Sequence, residues 1–215
     1  DSGESEHTIT ARTVIPLLLA SLVAGMISAC GGGDSGSQPS QADIPDEALI
    51  AQGKQIFRYD TFGDESQWTD TLRMHEVIRT AVDPTTALSV GLKVDAEALP
   101  PAVVEGVQNG SVDLKSPATT VALLKLDAVV GLKGTVTNIN GTDTLTRVGV
   151  TCALCHSTVD NSFAPGIGKR LDGWPNRDLD PGAIIALSPT VAASAKAVYN
   201  SWGPGKYDPR FNQDG

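Results

Sequence analysis

The sequence predicts a mainly α-helical domain with one β-hairpin inserted just before its most informative motif, and three observations carry that expectation. Amphipathic stretches punctuated by Pro and acidic residues recur on both sides of the chain's centre. Two runs rich in β-branched residues flank Asn140-Gly141, a dipeptide suited to a tight hairpin turn. Only 5% of the 215 residues are aromatic against 40% apolar, so the core is expected to be built from Val, Leu, Ile and Ala.

Pro45-Asp46-Glu47-Ala48 opens a helix with acidic residues in its first turn, running towards Phe57. Residues 59–67 read as a loop. A second helix over about 69–81 stops before Asp83-Pro84, because the residue before a proline is driven out of the α region. Residues 96–108 suggest a third, with Pro100-Pro101 near its start. The period then changes: residues 129–139 and 144–150 are the two arms of the hairpin. Short helices are expected to begin at Pro181 and Ala192. No internal repeat is visible.

Near the N-terminus, residues 14–27 form an almost uncharged run, preceded by Arg12 and too short to span a bilayer comfortably. It ends Ile27-Ser28-Ala29-Cys30, and small residues followed directly by Cys resemble the lipobox of bacterial lipoproteins. On this reading 1–29 is a lipoprotein-type signal peptide, Cys30 the lipidated first residue of the mature chain, 30–43 a flexible Gly- and Ser-rich tether, and 44–215 the folded domain. The location implied is periplasmic, tied by lipid to a bacterial membrane. An ordinary signal peptide cut after Ala29 and an uncleaved anchor are the alternatives. The chain does not open with Met and closes in turn-forming residues, so the reading allows a domain incomplete at its C-terminal end. The formal charge of -9 is spread without a basic run, so nucleic acid is not an expected partner.

Cys152-Ala153-Leu154-Cys155-His156 is a CxxCH sequence, the attachment signal for c-type haem. On a helical turn the first and fourth positions share a face, so two sulfurs can reach the two vinyl groups on a porphyrin. The adjacent His156 can coordinate iron from the proximal side. A disulfide, a zinc site and a thiol-redox motif are the competing readings. Zinc usually takes four ligands, and beyond these three residues the exported chain would offer only His75 and Cys30. A thioredoxin-like site belongs after a strand in a βαβ pattern, which the surroundings do not suggest.

The residues after the motif suit a crevice wall. Phe163-Ala164-Pro165-Gly166-Ile167-Gly168 is a Gly-rich loop, and the Pro165 carbonyl is the candidate acceptor for the second imidazole N–H of His156. Lys169, Arg170 and Arg177 surround Trp174, where cations could pair with haem propionates and the indole could pack on the ring edge; a solvated basic loop is the alternative. For the sixth iron position the candidates are Met74 and His75, adjacent on a helix, so that only one can face iron. Each has a bland reading, Met74 as core and His75 as a surface residue beside Glu76.

The segment Gln52-Gly53-Lys54-Gln55-Ile56-Phe57 resembles the first helix of cytochrome c domains. From there to Gly215 the chain resembles a group of largely uncharacterised bacterial c-type cytochromes related to di-haem cytochrome c peroxidase-like proteins. The resemblance rests on Phe57-Arg58-Tyr59-Asp60-Thr61-Phe62-Gly63-Asp64-Glu65, on Gly91-Leu92-Lys93-Val94-Asp95, on the motif with Ser157-Thr158-Val159-Asp160 after it, and on 168–182. It implies a cytochrome c-like helical haem domain with covalently attached haem c. Members of the group tend to carry a second CxxCH towards the C-terminus; this sequence contains a single CxxCH and no second. The expected function is single-electron transfer with redox partner proteins; the alternative is a haem-dependent peroxidase- or oxygenase-like enzyme, of which this chain would be a fragment.

Overall fold

Asp46 starts the first helix, its carboxylate accepting a hydrogen bond from the Ala48 N–H at 2.9 Å. The helix, α1, runs Glu47–Tyr59 and buries no residue. Only its C-terminal end is fastened: Phe57 packs on Val130, Ala153 and Val159, and Arg58 pairs with Asp172. The computed structural model describes residues 46–208, all of which belong to a unit spanning Pro45–Gly215. The expected signal peptide, tether and lipidation at Cys30 fall on residues outside those described.

The single helix expected over 69–81 is two pieces. A π-helical turn covers Ser66–Thr71, and α2 covers Met74–Ala81. Between them Arg73 takes φ 53°, a left-handed conformation that ends one helix and starts the next. The carbonyls at the break find distant donors, Ser188 Oγ on Leu72 O at 2.7 Å and Thr190 Oγ1 on Thr71 O at 3.0 Å. Tertiary hydrogen bonding thus overrides local periodicity. A short helix, α3 (Pro84–Ser89), follows with Asp83 capping the N–H of Thr86. The third expected helix is likewise shorter, a 3₁₀ turn at Ala96–Ala98 and then α4 (Pro101–Gln108), whose Pro101 occupies the first helical position. The helix α5 (Pro117–Lys125) was not expected.

The hairpin forms as the sequence suggests. Its arms β2 (Leu132–Ile139) and β3 (Thr142–Val150) turn through Asn140 and Gly141, both at positive φ (52° and 85°), with a register shift between Thr135 and Val136. A single helical turn, α6 (Ala153–His156), comes next and feeds β4 (Ser157–Val159). After a loop come β5 (Ile167–Gly168) and β6 (Arg170–Asp172). The last helices are α7 (Pro181–Ala186) and α8 (Ala193–Tyr199). A two-residue strand, β1 (Val94–Asp95), pairs in parallel with β5, and β4 pairs antiparallel with β6.

These pairings correct the mainly α expectation: the described residues are mixed α/β, 44% of them helical and 18% strand, with small sheets. Strands of two or three residues are too short to display alternation, and their partners lie far apart in sequence, so periodicity did not reveal them. The core sits between α2, α5 and the hairpin, with Leu72, Leu124 and Leu145 fully buried and Trp68, Met74, Ile78 and Val148 around them. Leu145→Ala is expected to cost about 2–5 kcal/mol, and the exposed Ile139→Ala within about 0.5 kcal/mol, as measured by denaturant titration.

Candidate functional site

The chain leaves β3 at Val150 and enters α6 within two residues, with Cys152 at the N-cap in helical geometry (φ -51°, ψ -29°). A four-residue helix cannot hold its own shape, since nucleation fixes several dihedrals for each hydrogen bond gained. Its own bonds are His156 N–H to Cys152 O at 3.2 Å and the Ser157 N–H to Ala153 O. Neighbouring backbone supplies the rest. The Thr151 N–H donates to Gly131 O at 3.0 Å, the Gly173 N–H to His156 O at 2.8 Å, and the Asn176 N–H to Cys155 O at 2.9 Å. Gly131 is required where it stands: φ is +81°, and a Cβ there would overlap the backbone of Leu154.

The turn divides its residues by face. Ala153 and Leu154 are buried, Ala153 against Val130 and Val159, while Cys152, Cys155 and His156 are exposed. The two thiols are not bridged by a disulfide. The loop between β6 and Asn176, whose Gly173 and Asn176 N–H groups bond the His156 and Cys155 carbonyls, carries Trp174, 63% exposed.

Immediately after the turn, Ser157 is fully buried and its hydroxyl donates to Asp172 Oδ1 at 2.8 Å. Arg170 Nε donates to the same oxygen at 2.7 Å, and Arg58 Nε to Oδ2 at 2.7 Å. Burial pushes the Asp172 carboxyl up, but the hydrogen bonds from Ser157 and Arg58 and the charges of Arg170 and Arg58 outweigh it and hold the carboxyl below its ordinary value. Asp172 thereby ties α1, β4 and β6 into the frame behind the motif.

The other sequence candidates are distributed as follows. Arg170 is buried and turned inward to Asp172. Pro165 lines an open hollow of about 780 Å³ with Lys93 and Asp178, and His156 is not among the residues lining it. Met74 is buried and lines a small, wholly apolar cavity of about 40 Å³ together with Leu154, behind the turn from the exposed cysteines. That space is far too small for a porphyrin. His75 is half-buried, 3.9 Å from Glu76, with Nδ1 buried and lacking a hydrogen-bond partner. Burial pushes its imidazole below the ordinary value against the pull of Glu76. The structure therefore brings Cys152, Cys155, His156 and Trp174 to one exposed region and places Met74 behind it.

The donor set fits a covalently held haem better than a metal ion alone. Among the described residues no three His, Cys, Asp or Glu side chains gather closely enough to cage a metal, which leaves zinc without its ligands. Haem brings its own four nitrogens and asks the chain for two reachable thiols and one imidazole, and these are present on one turn. Asn176, Gly173, Gly131 and Asp172 were not singled out from the sequence. Their roles are played by backbone groups and a long-range carboxylate contact, and the only signals were a Gly in each of two turns and a Pro-Asn pair. Compared with known protein families, characterised proteins and solved structures, the chain matches none.

The Asp172 cluster yields a pH prediction. Its folded value lies below that of the unfolded chain, so its stabilisation is complete above about pH 4 and disappears as pH falls through the folded value. Urea denaturation from pH 7 to pH 2 is expected to show a steeper acid loss for the native chain than for Asp172→Asn. Asp172→Ala, which strands the buried Arg170 guanidinium, is expected to cost about 3 kcal/mol at pH 7.

Proposed function

We propose that this chain is an exported c-type cytochrome that carries one haem on Cys152 and Cys155 and passes single electrons to redox partner proteins. The observation that supports it is the division of α6 by face, which anchors the turn through Ala153 and Leu154 and turns both thiols and the His156 imidazole outward. When bound, haem supplies an iron that changes oxidation state by one electron. Cys152 and Cys155 would hold the porphyrin edge by thioethers, and His156 would take the proximal iron position. Two thioethers keep the group attached when an axial bond loosens, which suits repeated oxidation and reduction.

The surroundings contribute in ways that need no movement of the fold. Trp174 offers a flat apolar surface beside the cysteines, where it would exclude water from the ring edge. The carbonyls of Cys155 and His156 are already bonded by Asn176 and Gly173, so the backbone behind the imidazole is fixed before any group is attached. We further propose that the chain is exported to the periplasm and anchored to the membrane by lipid on Cys30, and that the lipobox-like sequence at Ile27-Ser28-Ala29-Cys30 is the signal for both. The resemblance to di-haem peroxidase-like cytochromes belongs to the same proposal.

Maturation in a bacterial host with c-type attachment machinery tests it. The native chain is expected to retain haem through denaturing electrophoresis, and Cys152→Ser/Cys155→Ser to retain none. His156→Ala is expected to keep the covalent bond and lose the low-spin visible spectrum or shift it strongly. Equal haem in the native chain and the double variant would refute the assignment.

A further inference from the structure

Asn176 meets the attachment turn through both its backbone and its side chain. Its backbone N–H donates to Cys155 O at 2.9 Å. Its side-chain Nδ2 donates to Gly91 O at 2.9 Å and lies 3.5 Å from Leu154 O. One buried residue thus reaches two consecutive carbonyls of the motif and ties them to the turn at Gly91. Gly91 is itself fixed, at φ +84° with the Asp178 carbonyl packed against its α-carbon so closely that no Cβ would fit. Behind Gly91, the Asp180 N–H donates to Val90 O at 3.0 Å, so the segment holding Asn176 is fastened on both sides.

Burying an amide is costly unless it is hydrogen-bonded. Asn176 Oδ1 has no partner among the described residues, so part of that cost stands, and the donated bonds must offset it. The carbonyls at the end of a helix have no partners inside it, and in a helix of one turn almost every carbonyl is such an end. A closing loop could have supplied water instead. Here the side-chain amide bridges Leu154 O and Gly91 O while the backbone N–H of the same residue takes Cys155 O, so one residue holds two consecutive carbonyls of the turn.

We propose that Asn176 is the positioning residue of the attachment turn: by bonding Leu154 O, Cys155 O and Gly91 O it holds Cys155 and His156 in the relative orientation that haem attachment and ligation require. The proposal rests on the haem reading of that turn. In this role Asn176 acts through the carbonyls of the turn.

The test compares the native chain, Asn176→Ala and Ser188→Ala, which removes another buried bond, from Ser188 Oγ to Leu72 O, away from the motif. Two readouts are taken. In the chain without haem, amide hydrogen exchange of His156 and Ser157 is expected to accelerate about tenfold in Asn176→Ala and to stay unchanged in Ser188→Ala. In the matured protein, Asn176→Ala is expected to hold severalfold less thioether-bound haem, and what it holds to show a shifted reduction potential and broadened EPR signals. Ser188→Ala should match the native chain in both. Should Asn176→Ala fail to fold, Asn176→Ser, which shares its backbone donor and adds a short hydroxyl donor in place of the amide, is expected to show the same changes at smaller size. Unchanged exchange in a folded Asn176 variant would overturn the proposal, as would faster exchange with native haem content, potential and EPR. A native chain that takes up no haem, with its turn amides responding as expected, would sink the haem reading and leave the clip at the turn standing.

Discussion

A helical turn of four residues has too few internal hydrogen bonds to persist by itself, and the arrangement around α6 follows from that constraint. Partners the turn lacks come from segments remote in sequence: Gly131 O accepts from the Thr151 N–H at its entrance, and the N–H groups of Gly173 and Asn176 donate at its exit. Those segments must in turn be held. The hairpin fixes Gly131, the short β4–β6 pairing delivers Gly173, and the contact with Gly91 fixes Asn176. The minor strands that make this chain mixed rather than mainly α are the frame of its one chemically distinctive turn.

Charge is used for the same end. Asp172 draws two arginines and a serine from α1, β4 and β6 onto one carboxylate, and Arg170 among them is almost wholly buried. A buried ion pair seldom adds much net stability over apolar packing, but removing one partner is costly. Such a cluster works as a lock on relative position. Here the lock sits one residue beyond His156, at Ser157, so the frame is rigid where an iron ligand would need it to be. The apolar core lies on the other side of the turn and is reached through Leu154, which shares a small cavity with Met74.

What was legible in the sequence was what is local. The Asn140-Gly141 turn, the helix opening at Asp46-Glu47 and the helix stop before Asp83-Pro84 act over a few residues, and each is found where the pattern put it. The break at Arg73 was hidden, because the hydroxyls that donate to its freed carbonyls, those of Ser188 and Thr190, lie more than a hundred residues away. The two-residue pairing of β1 with β5 was hidden for the same reason, whereas the burial of Met74 is the core reading that helical spacing had left open. Of the candidate site, the thiols and imidazole were readable, and the residues that hold them were not, since they act mainly through backbone N–H groups that any amino acid but proline possesses.

The most direct measurement is the intact mass and reduced-minus-oxidised absorption spectrum of the native chain after maturation with c-type attachment machinery. The account predicts a single haem that survives denaturation and acid extraction, a mass increased by one haem, and the sharp reduced bands of a c-type cytochrome. A chain of unmodified mass, with Cys152 and Cys155 recovered as free thiols or as a disulfide, would contradict it.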